Sequence, residues 1–500
     1  MIMHPTDSEH GRTRRHSALK AVLASFVWPG LGQWYLGQRV AALVYAIPPL
    51  LVIMAGLSLA ADGLESLAAR ILDPAVALTV LGGVVLLALW RLLSMAGAWW
   101  VAKRWERDHG QRASSAGPPR QASRRVAVAL ALAAIVVLVH AVPASLAVKF
   151  YQAGSVIFQP DEGVAVQPTA RPVVPAESSP SPSPSPVPGS TPEPSGSPLL
   201  ETPIPTISPE VTDDGLVNVL FVGTDSLPGR PPDHRLADSI TLASFDRVEG
   251  TIDMVSIPRN VSRFPQYWGG FHEGKINTLI SRAQADPSGY PDGPLETFVE
   301  QISYLVGVDI DYYATVDVPG FRRLIDAVGG IEVEVTEPIA DPDFPLYLDV
   351  GMHHLDGVTA MMYVRSRKGP GGSNEQRSYR QQQVLLELRR KLSDPAMLPR
   401  LPEILDAMAG TVRSNLPAGR LGETLGLARE ATDAEISHVF LGPETYAREL
   451  PPTETDLENA VELRMDAVAA LSQELWGDLS YYSDPTYLEE LMAALEAGSR

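Results

Sequence analysis

The stretch YVRSRKGPGGSNEQRSYRQQQ, Tyr363 to Gln383, gathers Arg365, Arg367, Lys368, Arg377 and Arg380 against a single acid, Glu375. The whole chain is formally −19 at pH 7, so this is a local reversal of sign. Planar guanidinium matches phosphate oxygens bidentately, and arginines around a Gly-rich loop therefore point to a held anion. The plainer reading is a solvated, charged helix start. Arg377 and Gln381 are four apart, on one face of a helix, where the N-terminal amides also favour an anion. Arg365 and Arg367, two apart, are expected on one face of a strand.

Two carboxylates have the right chemistry to accompany such an anion. Asp225 follows the end of the apolar run LVNVLFVG (Leu216–Gly223), and Asp238 follows a loop. Two carboxylates together with phosphate oxygens suit Mg²⁺ (or Mn²⁺), which keeps few protein ligands. Either Asp alone has an ordinary use as a turn or cap residue. His353 and His354 are adjacent and point apart on a strand, which argues against a metal pair. The chain has no cysteine, which excludes disulfides, thiol nucleophiles and Cys-ligated zinc or iron–sulfur centres.

These residues need a scaffold, and the charge distribution divides the chain. Residues 1–150 hold 15 Lys and Arg against 7 Asp and Glu; residues 151–500 hold 25 against 52, a net of −27. So acidic a C-terminal part is a poor nucleic-acid surface. Three apolar runs are long enough to span a bilayer: Val40–Ala60, about Ala75 to Trp90, and Val126–Val148. Arg91 interrupts the second. Basic residues crowd the N-terminal arm and the segment Lys103–Arg125, whereas Ala61–Pro74 is acidic. The positive-inside rule then gives a cytoplasmic N-terminus, three spans and an extracytoplasmic C-terminal part. SFVWPGLGQWYLGQR (Ser25–Arg39) resembles the PGLGQ-Y-LG signature of small membrane proteins with paired transmembrane helices and is expected as a re-entrant or interfacial segment. From Pro160 to Pro209, 15 of the 44 prolines fall in 50 residues, the composition of a disordered, polyproline-like spacer. The expected organisation is a membrane region (1–150), a linker (151–213), a catalytic domain (214–475) and a C-terminal tail (476–500).

Beyond the linker the pattern alternates. Leu216–Gly223 reads as a buried strand; Ser239–Phe245 and Thr251–Pro258 flank a turn and read as a hairpin. Leu295–Gly307 has helical spacing and a Gly stop. Asp317 and Pro319 open another helix that ends at Gly329-Gly330, and Ile331–Val335 is the next strand. Gln381–Leu392 is again helical. Strands alternating with helices argue for a layered α/β domain.

The ordered blocks VLFVGTDS, ADSITLASF, VSIPRN, KIN, GFRRLIDAVGGIEVEV, LDGVTAMMYVRSRK and RSYRQQQ, from about Val217 to Gln383, resemble the LytR-CpsA-Psr family. The resemblance implies an α/β/α sandwich with a central mixed β-sheet and a hydrophobic tunnel for lipid. It implies a phosphotransferase that moves a glycopolymer from a polyprenyl-pyrophosphate carrier to peptidoglycan. By matched motif, Arg259, Lys275, Arg365, Arg367 and Gln381 would surround the pyrophosphate, Arg377 would stand next to the chemistry, and Asp225 and Asp238 would hold the metal. Arg380 is expected as a helix-face charge and Asn277 as a loop support. Two departures stand out: Asn374 replaces the family acid, leaving Asp225, Asp238 or Glu375 as candidate bases, and Asn260 replaces the Asp of PRD. A lipid-binding or pyrophosphatase protein without ligase activity, or a transcriptional regulator, are the alternatives.

Overall fold

The computed structural model describes residues 17–59, 67, 70–110, 119–158, 215–225, 235–246, 248–370, 372–409, 411–417 and 436–498. The chain forms two compact units, Met1–Gly154 and Ser155–Arg500.

In the first, two short helices, α1 (Ala18–Val27) and α2 (Leu31–Tyr35), precede three long ones, α3 (Arg39–Leu59), α4 (Pro74–Gly110) and α5 (Pro119–Ile157). Within the long helices, 39–58, 74–105 and 123–157 are apolar and long enough to cross a membrane. Arg91, which interrupts the second apolar run, lies inside α4. Its guanidinium caps α1: Nε donates to Phe26 O and Nη2 to Val27 O, both at 2.9 Å. Helix-end carbonyls without such a partner would be costly in an apolar setting. In the PGLGQ turn, Gly30 has φ +95°, and a Cβ there would meet Ala42 O at 2.2 Å. Residues 151–157, expected as the start of the linker, instead continue α5, with Ala153 and Ile157 buried beyond Phe150. The remainder of the expected linker, 159–213, lies outside the described residues.

In the second unit, β1 (Leu216–Thr224), β2 (Ala237–Asp246), β3 (Thr251–Ser256), β6 (Tyr312–Asp317), β11 (Val412–Ser414) and β12 (Ile436–Phe440) form one mixed sheet in the order β11-β6-β1-β2-β3-β12. β1 runs antiparallel to β2 and parallel to β6; β12 runs parallel to β3. Alternation sorts the side chains into two faces. Leu220, Val222, Ile240, Leu242 and Val255 enter a core with the amphipathic helix α7 (Pro294–Val306) and α12 (Met465–Trp476). On the opposite face Ala243, Ile252 and Met254 meet Leu385 and Leu386 of α10 (Asn374–Leu392). The result is an α/β/α sandwich. Hairpin β4–β5 (Ser262–Pro265, Phe271–Lys275) leaves the end of β3.

A second core joins α8 (Val318–Ala327), β7 (Ile331–Val335), hairpin β8–β9 (Ile339–Asp341, Leu346–Leu348), β10 (Gly351–Leu355), α9 (Gly357–Arg365), α10 and α11 (Leu401–Met408). Asp317 caps α8 as expected, its Oδ1 accepting from Gly320 N at 2.7 Å.

The expected tail is no tail. Trp476, Tyr482 in the turn after it, and Leu491 in α13 (Pro485–Gly498) are buried in the sheet core. Trp476 Nε1 donates to Ser244 Oγ at 2.9 Å, Ser244 donates to Asn218 Oδ1 at 2.6 Å, and Asn218 Nδ2 donates to Asp309 O at 2.7 Å, so the last helices complete a buried polar chain. Trp476→Ala should therefore destabilise the protein by about 3–5 kcal/mol, read as a lower urea midpoint. A loss under about 1 kcal/mol would mark the segment as peripheral.

Candidate functional site

Local register brings the first carboxylate into place. Gly223 stands opposite Ser239 but Thr224 stands opposite Ala237, so a bulge on β2 leaves Asp238 as the extra residue. Bulges re-aim side chains, and Asp238 turns into a cavity of about 240 Å³. Asp225, just past β1, is buried beside it in the chain trace, its N–H bonded to Leu236 O at 2.9 Å.

The same cavity is lined by Arg259, Arg365, Arg367, Lys368, Arg377 and Gln381. Six of the eight expected site residues thus meet there; Asp225 and Lys275 are outside the lining. Arg259 forms an ion pair with Asp238. Lys275, at the end of β5, donates Nζ to Glu458 O at 2.6 Å. Burial, and then Arg259, lower its pKa.

Arg365 and Arg367 do not alternate on a strand as the spacing had implied. Asp356 caps α9 through Thr359 N, and Arg365 is its last residue, where a cation suits the helix dipole. Arg367 lies in the loop beyond. α10 starts at Asn374, seven residues before the expected start, because Ser373 Oγ accepts from Gln376 N at 3.0 Å. Arg377 therefore sits in the first helical turn. It is buried, and Nε has no hydrogen-bond partner among the described residues. Burial, then Arg259 and Arg367, push its guanidinium down to about 10. Gln381 ties the site together: Ser239 Oγ donates to its Oε1 at 2.9 Å, and its Nε2 donates to Val364 O at 3.2 Å.

Arg380, read from sequence as a helix-face charge, is buried; Nε donates to Tyr363 O at 3.0 Å and Nη2 to Ser366 O at 2.5 Å. Glu375 and Asn374 are exposed and outside the lining, which removes Glu375 from the cavity's candidate bases. Lys368, Asp341, Asp343 and Phe344 belong to the cavity but were missed. Lys368 was in view within the basic run; the other three sit on a hairpin about 25 residues upstream, with nothing local to mark them.

An apolar cavity of about 300 Å³ shares Asp238, Val364, Arg365 and Gln381 with the polar one. A further apolar cavity of about 290 Å³ shares Phe221, Ala314, Leu385, Leu388 and Leu392 with it. The sequence runs along β1 between the sheet and α10, from Thr224 back to Val217. At ~3.3 Å per residue that is roughly 23 Å. A cationic cavity thus adjoins apolar cavities that follow one another along β1, the form expected for an anion attached to a hydrocarbon chain.

The donor set also suits a divalent cation. Asp225 and Asp238 offer hard oxygens at adjoining strand ends, while among the described residues no three His, Cys, Asp or Glu collect. Two carboxylates leave most positions of a Mg²⁺ octahedron to phosphate and water, as that ion prefers.

Residues 197–445 match the model of the LytR_cpsA_psr family. The chain is a LytR-CpsA-Psr family protein. "Regulatory protein MsrR" of Staphylococcus aureus (strain COL) is 27% identical over 217 residues, covering 43% of this chain and 61% of that protein. "Polyisoprenyl-teichoic acid--peptidoglycan teichoic acid transferase TagV" of Bacillus subtilis (strain 168) is 29% identical over 257 residues, covering 48% and 62%. The chain spans about three-fifths of the length of these curated relatives. A crystal structure of Bacillus subtilis TagV is 25% identical, with a TM-score of 0.39, covering 57% of this chain and 98% of that one.

The buried Arg377 of this LytR-CpsA-Psr domain yields a two-sided prediction. In the folded protein its pKa lies below the ordinary guanidinium range, so keeping the charge costs stability at every pH below about 10 and the cost fades as pH rises beyond. At pH 7, Arg377→Met should therefore leave the ligand-free protein as stable as wild type or more so. Pyrophosphate at a hundred times its Kd should add about 2.7 kcal/mol to the wild type and clearly less to the variant. Thermal melts with and without pyrophosphate check both; equal ligand stabilisation would remove Arg377 from the anion site.

Proposed function

We propose that this chain transfers a glycopolymer from a polyprenyl-pyrophosphate carrier to peptidoglycan, leaving a phosphodiester link. The observation that carries the reading is the junction itself: a cavity walled by Arg259, Arg365, Arg367, Lys368 and Arg377 adjoining an apolar groove. A pyrophosphate needs the first and an isoprenoid the second. The name of TagV, a polyisoprenyl-teichoic acid transferase, fits the same donor class.

In this mechanism the arginines bind the two phosphates and the groove takes the lipid, each buried CH₂ contributing about 0.8 kcal/mol. A hydroxyl of a peptidoglycan sugar attacks the sugar-linked phosphorus. A P–O bond forms to the acceptor, the P–O bond to the bridging oxygen breaks, and polyprenyl phosphate leaves. The hydroxyl proton passes to the departing polyprenyl phosphate, while Asp238, oriented by Arg259 and shared by both cavities, stays ionised beside the phosphates. Arg377 stands among the cations whose field opposes charge build-up on the phosphates. Mg²⁺ held by Asp225 and Asp238 would supply further charge neutralisation. With water in place of the sugar hydroxyl the same steps give a pyrophosphatase.

The three apolar helices and the basic flanks would place the chain in the cell membrane with residues beyond about 158 outside the cytoplasm. A reporter fused after residue 200 should be active only outside; cytoplasmic activity would sink both topology and enzyme reading.

Turnover is the direct test. The detergent-solubilised full chain, given a polyprenyl-pyrophosphate oligosaccharide, Mg²⁺ and peptidoglycan fragments, should yield a phosphodiester-linked product by mass spectrometry. Arg377→Ala should lower kcat by roughly 10²-fold or more with a smaller change in KM, as for an interaction made mainly in the transition state. Shortening the lipid should weaken binding stepwise. Release of free glycan phosphate without transfer would favour the pyrophosphatase, and chain-length-independent affinity would refute the groove.

A further inference from the structure

We propose that Asp341 is the positioning residue of the anion site: it clips the Arg365–Lys368 segment onto hairpin β8–β9 and so aims its cations into the cavity. The inference rests on the anion-binding reading above and adds the element that makes the basic segment stand still.

The hairpin holds each cation of the segment by a different contact. Phe344 lies under Arg365, with the guanidinium carbon 5.9 Å from the ring centroid. Asp343 pairs with Lys368 Nζ at 2.7 Å. Asp341 lies between and is buried. Its Oδ2 accepts from Ser366 Oγ at 2.9 Å, Arg367 N at 2.7 Å and Lys368 N at 3.0 Å, while Oδ1 accepts from Asp343 N at 2.9 Å. One carboxylate therefore fixes the hydroxyl of Ser366, the backbone of Arg367 and Lys368 and the turn of the hairpin beneath them.

Two further observations show the segment seated against that hairpin. Gly369 has φ +77°, and a Cβ there would lie 2.0 Å from Ala340 O. Any other residue would lift the loop off β8. From the other side, the buried Arg380 donates to Tyr363 O and Ser366 O. Ser366 is thus held at its side chain by an anion and at its carbonyl by a cation. Arg365 and Arg367 leave this clamped backbone on either side of it.

The clip solves an electrostatic problem. Arg367 already feels burial and the repulsion of Arg259, which lower its pKa. An unrestrained loop would carry Arg367 and Lys368 out into solvent and away from the other guanidiniums. Asp341 binds two backbone N–H groups and the Ser366 hydroxyl rather than a guanidinium, so it leaves Arg365 and Arg367 available to a ligand. Burial tends to raise the Asp341 carboxyl, but the bonds from Lys368, Asp343, Arg367 and Ser366 outweigh it and hold it at about 2. The carboxylate therefore stays ionised through the physiological range. Its contribution is complete above the ordinary carboxylate range and is lost only as pH falls through about 2.

Asn is the discriminating substitution. An amide has one acceptor oxygen and one donor nitrogen. Whichever way it turns, its NH₂ group faces backbone N–H donors. Calorimetry of inorganic pyrophosphate with the full chain at pH 7 should show Asp341→Asn binding at least tenfold more weakly than wild type. Ser366→Ala, which removes one of the four donors and keeps the charge, should lose two- to fivefold, and it carries the test if the Asn variant does not fold. In a chain with Arg365→Ala, Arg367→Ala and Lys368→Ala, Asp341→Asn should change affinity by less than twofold, because the groups it aims are gone. A purely structural role would still weaken the remaining arginines and show the full loss in that background, which would overturn positioning. Wild-type affinity in Asp341→Asn would overturn the clip alone. Absence of pyrophosphate binding by the wild-type protein would overturn the anion site and the clip with it.

Discussion

Like charges repel, and a folded chain that gathers five cations around one cavity must hold them there against that repulsion. Arg377 shows the constraint most plainly: it is buried in the first turn of α10, near Arg259 and Arg367, with a guanidinium pressed down to about 10. The rest of the domain can be understood as the means of keeping this arrangement in place. Asp238 offsets Arg259, Asp343 offsets Lys368, and Asp341 and Arg380 secure the backbone between. An anionic ligand would relieve what these partners leave uncompensated, and such relief is how a preorganised site binds strongly.

Position along the sheet gives the site its second half. The cations collect at the C-terminal end of β1 and the start of β2, and the apolar cavities extend back along β1 beneath α10. Residues 221 and 385 serve both apolar cavities, so helix and sheet are held apart by a layer of side chains that does not fill the space. A tightly packed sandwich would be more stable, since interiors normally approach crystal density. The open groove is a departure of the kind found where function competes with packing.

The basic segment also illustrates how one residue type can serve opposite purposes. Arg365, Arg367, Arg377 and Arg380 lie within 16 positions, yet the first three line the cavity and the fourth is buried in backbone carbonyls. Three of them face a space for ligand. The fourth keeps that space in shape, and its loss would be felt through the positions of the others.

The sequence alone determined the class of the protein and most of the parts of its site. Strand alternation, Gly stops and caps such as Asp317 are local, and they placed β1, the β2–β3 hairpin, α7, α8 and β7 because each depends on neighbours a few residues away. Ordered motif blocks named the arginines and both aspartates. What it left undecided depends on contacts far apart in the chain. Whether Arg365 and Arg367 sit on a strand or at a helix end depends on Asp356 and on the hairpin beneath them. Whether Arg380 is surface or core depends on where the Tyr363 and Ser366 carbonyls turn. Whether residues after 475 are tail or core depends on Ser244, more than 200 positions away. Asp341 is invisible for the same reason: three of its four hydrogen bonds exist only once β8 and the loop after α9 meet, and no local pattern records a partner 25 residues off.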